Sequence, residues 1–135
     1  MQITSDDADA MIRAAKSRAA DIGIAVSIVV LDPAGHLKAF LRMDESWLAS
    51  IDVAMKKAKT SVFFRAATQD VWEVCKPGAQ AHGLESTNGG LVTFAGGIPL
   101  KGADGRLIGA IGVSGGQVAQ DFEIAAAGAA ALQTH

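Results

Sequence analysis

Residues able to do chemistry are few in this chain and fall into two groups. The first gathers around Ser114-Gly115-Gly116, which ends the apolar run LIGAIGVS and opens a helix-like segment. Unpaired amides and the helix dipole at such a junction favour an anion, and a carboxylate or propionate would suit it. The plainer alternative is that Ser114 caps the helix and the glycines make a tight turn. Arg42, in LRMD, carries a planar guanidinium that grips carboxylates, with a surface pair to Asp44 or Glu45 as its alternative. Lys57 either joins that anion site or lies on a solvated helix face. The second group is His82 with Glu85 three residues on, a pairing that can move a proton or offer an axial ligand to a metal. Asp121, early in the last helix, is the alternative proton partner. His36 follows a turn and His135 is terminal. A lone loop histidine without a second ligand predicts no first-row metal site. The single cysteine, Cys75, makes neither an internal disulfide nor a Cys-based metal site.

These residues need elements to position them. Apolar positions Ala8, Met11, Ala15, Ala19 and Ile22 recur at helical spacing behind Thr4 or Ser5 as cap, and Gly23 stops that helix. IAVSIVVL, residues 24–31, is almost continuously apolar and rich in β-branched residues, the pattern of a central strand covered on both faces. The turn DPAG at 32–35 returns the chain antiparallel through Leu37 to Met43. A second helix spans Leu48 to Arg65, with Lys56, Lys57 and Lys59 largely off its apolar stripe. From Ala66 to Gly90 periodicity fades into a long loop with a helical piece near Gln69 to Val74. Three short strands, Leu91–Phe94, Ile98–Lys101 and Leu107–Ser114, form a meander, and an alanine-rich helix through Val118, Phe122, Ala125, Ala129 and Leu132 closes the chain. Gly109 and Gly112 weaken the last strand twice, and the reading is that alanine-rich helices settle into those gaps. The expected fold is one α+β (α/β) domain over residues 1–135. Its five-stranded antiparallel sheet is flanked by helices in the order α-β-β-α-β-β-β-α.

Composition narrows the function classes. Half of the 135 residues are hydrophobic, 19% are charged and the net charge is -2, which excludes disorder and a phosphate-tracking basic surface, so no nucleic-acid partner is expected. No apolar run spans a membrane, and the acidic start MQITSDDADA predicts no export signal and a cytoplasmic setting. The segment GIGVSGG lacks the lysine and the βαβ context of a phosphate loop. Small residues bury little area each, so self-association is expected.

The stretches DPAGHLKAFLRMD, KKAKT, GGIPL and DGRLIGAIGVSGGQVAQD, in that order, resemble the GlcG/HbpS-like family of haem-degrading or PduO C-terminal-like domains, over nearly the whole chain. The resemblance implies a profilin- or PAS-like layout, assembly into homo-oligomers, and a ligand such as haem or another tetrapyrrole. Some members are joined to corrinoid adenosyltransferases, and many belong to small-acid catabolism. Carried over residue by residue, the pattern falls on Asp32, Gly35, His36, Arg42, Asp44 and Lys57. Later in the chain it falls on Gly96, Gly97, Pro99, Ser114, Gly115 and Asp121. Two functions follow. One is a binding protein whose haem or similar anionic ligand meets His36, Arg42, Lys57, the Gly96-Gly97 turn and Ser114-Gly115. The other is a cofactor-independent hydratase, isomerase or deaminase of small carboxylic acids, in which Arg42 holds the carboxylate while His82, with Glu85 or Asp121, moves the proton. A shared small cavity for Arg42 and His82 would favour the enzyme, and a broad apolar slot the tetrapyrrole.

Overall fold

A computed structural model of the chain describes residues 2–132; His135 lies outside the described residues. Helix α1 (Ser5–Ile22) begins where Thr4 Oγ1 accepts the Asp7 N–H at 3.0 Å and the Asp7 carboxylate accepts the Thr4 N–H at 3.1 Å. It ends at Gly23, whose φ of 78° is the left-handed conformation that glycine adopts without a Cβ clash. Strand β1 (Ser27–Leu31) is buried along its whole length, and it pairs antiparallel with β2 (Leu37–Arg42) on one side and β4 (Leu107–Ser114) on the other. Strand β3 (Gly97–Lys101) pairs with β4 and completes the order β2-β1-β4-β3. Pro99, which has no N–H to donate, is confined to this edge strand.

Helices cover both faces. Helix α1 and α4 (Val118–Ala130) enclose one core with Ile28, Val30, Ile111 and Val113, while α2 (Ala49–Phe64) packs on Val29, Leu31 and Ala110 through Ala54, Ala58 and Val62. Helix α3 (Thr68–Cys75) and a 3-10 turn (Leu84–Ser86) lie in the stretch expected as a long loop. The glycine gaps of β4 are both filled, Gly112 by helix α2 as expected and Gly109 instead by Ile3, ahead of α1, and the Leu31 backbone of β1. A Cβ on Gly112 would run into the Ala54 carbonyl oxygen and stand 2.7 Å from the Ala58 nitrogen of α2; one on Gly109 would stand 2.5 Å from the Leu31 carbonyl oxygen.

The expected fifth strand, Leu91–Phe94, is absent: among the described residues the sheet has four strands and four α-helices accompany it. The amides that a ladder would have used are spent locally. The Leu91 N–H donates to the Glu85 carbonyl and the Val92 N–H to Thr60 Oγ1 of α2, so this segment is laid across the helix instead of beside a strand.

Candidate functional site

Strand register brings part of the predicted site together. Ser27 stands opposite Arg42 in β2 and opposite Ser114 in β4, so the three occupy one row across the sheet with their side chains on the same face. Two strand spacings separate the ends of that row by about 10 Å. The α2 face carries it, because Ser27 Oγ lies 2.8 Å from Ser50 Oγ near the start of α2. Ser50 is saturated: its one proton goes to the Trp47 carbonyl at 2.6 Å, so it accepts from both Ser27 and Ser46, each at 2.8 Å. Arg42 Nη1 donates to the Ser46 carbonyl at 3.1 Å, which ties the guanidinium to the edge of this hydroxyl cluster.

Lys57 and Asp121 meet inside the protein. Lys57 is fully buried, and its Nζ donates to the Asp121 carboxylate at 3.0 Å and to the Val113 carbonyl at 2.8 Å. The Phe94 ring, with its centroid 5.0 Å from Nζ, covers the ammonium as a cation–π partner. The other Asp121 oxygen accepts the Gly116 N–H at 2.9 Å. The anion that the Ser114-Gly115-Gly116 junction holds is therefore Asp121 itself. Burial drives Lys57 below the ordinary lysine value against the pull of Asp121, and drives Asp121 above the ordinary carboxyl value against the pull of Lys57. Burial dominates both directions, since neither side chain has water to share its charge. Gly96 and Gly97 serve the same arrangement: a Cβ at Gly96 would stand 2.6 Å from Lys57 Nζ, and one at Gly97 2.5 Å from the Lys57 carbonyl oxygen.

The remaining candidates lie apart. His36 is well exposed in the β1–β2 turn, 3.8 Å from Asp32 and at the end of the sheet opposite Ser114. His82 is exposed in the connection after α3. Glu85 accepts the Cys75 thiol at 3.7 Å, and burial followed by the Glu85 charge pushes that thiol's pKa up. Among the described residues no group of three His, Cys, Asp or Glu side chains is placed to hold a metal.

Two cavities adjoin the buried pair. One, of about 300 Å3, is an apolar slot lined by Gln69, Trp72, Thr93, Phe94, Ala95 and Val118. The other, of about 210 Å3, lies between Trp47, Ser50 and Val53 of the α2 end and Ser114, Gly115, Gly116 and Asp121. Phe94 and Val118 line both, so the two form one groove with Phe94 as its ridge. Arg42 and His82 line neither. The groove residues Trp47, Ser50, Trp72 and Phe94 escape sequence reasoning. The available signal was two tryptophans and a phenylalanine outside the helical stripes.

Comparison with known proteins follows the same lines. The family model "Haem degrading protein HbpS-like" matches residues 3–130. The chain belongs to the HbpS-like family. This HbpS-like chain is 41% identical over 127 residues to the corrinoid adenosyltransferase PduO of Salmonella typhimurium, covering 93% of this chain and 38% of that protein. It therefore spans well under half the length of that relative. Protein GlcG of Escherichia coli K12 is 38% identical over 107 residues, covering 79% of this chain and 77% of GlcG. Among solved structures, one described as a PduOC:Heme complex superposes with a TM-score of 0.94 at 38% identity, covering 100% of this chain and 98% of that one.

Proposed function

We propose that this HbpS-like chain binds haem or a similar planar tetrapyrrole in the groove on either side of Phe94. The observation that carries the reading is the groove itself: an open apolar slot walled by Trp72, Phe94 and Val118, adjoining across Phe94 a smaller pocket lined by Ser114. Flat aromatic walls suit a flat apolar ligand. The haem complex of the 38% identical PduOC chain supports the same ligand class. The residues fit the macrocycle and not its iron, because no His, Cys or Met lines either part of the groove. When bound, haem would supply the iron chemistry, and this chain's own side chains would supply apolar contact, with the Ser114 hydroxyl as a polar partner for an acidic group at the end of the smaller pocket. Lys57 and the Gly116 amide contribute nothing free, both being occupied by Asp121. Large exposed side chains beside the groove, Trp47 at 78% and Leu48 at 73% exposed, support the expectation of self-association.

Titration with hemin and with iron-free protoporphyrin IX tests this reading. Both should saturate, hemin with a Soret shift, at affinities within about tenfold of each other because apolar burial and not iron ligation holds the ring. Phe94→Ala and Trp72→Ala should each weaken both by about tenfold or more. His82→Ala and His36→Ala should leave protoporphyrin binding unchanged. Flat titrations at micromolar ligand, or protoporphyrin failing where hemin binds, would overturn it.

A further inference from the structure

The end of the sheet remote from Ser114 carries a second concavity. It encloses about 470 Å3 between Pro33 of the β1–β2 turn, Arg65 at the end of α2, Lys101 at the end of β3, and Gly105, Arg106 and Leu107 where β4 begins. Seven residue steps along β4 separate Leu107 from Ser114, about 24 Å at the strand rise. The charged residues lining it are all cations, on a chain whose net charge is -2.

Those cations are exposed and largely uncompensated. Among the described residues neither Arg65 nor Lys101 has a side-chain ion pair or hydrogen bond. Arg106 stands 3.9 Å from Asp104 with both side chains mostly exposed, a pair that water and salt screen. Asp32, next to Pro33 in the chain, accepts the Ala34 and His36 amides on Oδ1, each at 2.9 Å, and its Oδ2 stands 3.8 Å from the His36 ring. Arg65 also occupies the helix-ending left-handed position, φ 54°, where glycine is the residue without steric cost. Arg65 lines the cup from that position.

We propose that this cup is an anion site for a pyrophosphate-sized group, carried on a small phosphate ester or free as a polyphosphate. Two guanidinium forks match phosphoryl oxygens in pairs, and Lys101 adds a point charge. The site is independent of the groove around Phe94 and of the reading given to it.

Calorimetric titration with inorganic pyrophosphate tests the assignment. A saturable isotherm is expected, weakening as salt rises. Arg65→Gly and Arg106→Ala should each lose about tenfold or more in affinity, whereas Lys16→Ala, the same charge change on the exposed face of α1, should lose none. Arg65→Gly relieves the left-handed strain, so it should melt at or above the wild-type temperature, separating lost binding from lost folding. Its hemin titration should match the wild type. ADP binding at least as tightly as pyrophosphate assigns the ester; weaker ADP assigns the free polyphosphate. An isotherm flat into the millimolar range, or equal losses in the Arg65, Arg106 and Lys16 variants, overturns the proposal.

Discussion

Lys57 and Asp121 lie 64 positions apart in the chain and 3.0 Å apart in the fold. A charge pair taken out of water is costly to form and costlier to break, because the survivor is left buried without a counter-charge. Asp121→Asn and Lys57→Met should each cost about 3–5 kcal/mol in urea unfolding, and the double change Lys57→Met/Asp121→Leu far less than the sum. Proton linkage gives a second readout. Asp121 keeps its proton to higher pH in the folded chain, so its contribution falls as pH rises from 3.8 through the raised value. Lys57 releases its proton earlier when folded, so its contribution rises from the lowered value up to 10.5. Wild type should therefore gain on the double variant toward both ends of the pH range and least near neutrality, as stability curves of the two would show. Nothing in the sequence announces this pairing. Each residue reads as a candidate ligand or proton carrier because contact across such a separation is decided by how α2 and α4 dock on β4, which local spacing does not encode.

Elements were far more legible than contacts. Helical stripes with a cap at Thr4 and a stop at Gly23, and the largely apolar run rich in β-branched residues that becomes β1, carry their pattern in the sequence and appear with bounds shifted by a few residues. Leu91–Phe94 has a strand's composition, but the Leu91 and Val92 amides go to Glu85 and Thr60, and tertiary partners override local preference. That failed strand is what sets Phe94 over Lys57 as the ridge of the groove. Gly112 shows the opposite case, a residue whose type alone predicts close approach. Gly112→Ala would push against the Ala54 carbonyl oxygen and the Ala58 nitrogen of α2, backbone atoms that cannot rotate aside. The helix must lift, and destabilisation of about 1–3 kcal/mol is expected from the shift in urea midpoint at unchanged slope.

At the scale of the whole molecule, the sheet order β2-β1-β4-β3 makes β4 a shared spine with chemistry at both ends. The Ser114 end meets the apolar groove and the internal pair; the Leu107 end meets the cationic cup. The order of elements along the chain was readable, but which end of which strand faces which turn depends on register, so the grouping of Arg65, Lys101 and Arg106 could not be read from residues scattered over 42 positions. Two ligands on such a spine communicate only by charge or by a switchable element. Charge is screened over about 8 Å at physiological salt, a third of the separation. Strand β4 is buried nearly throughout and hydrogen-bonded on both sides, so it offers one arrangement and no switch. Pyrophosphate affinity measured on hemin-saturated protein should accordingly agree with that of the free protein to within about twofold, a coupling under 0.5 kcal/mol. Mutual exclusion in that experiment would mean that the two ligands contend for one end of the sheet.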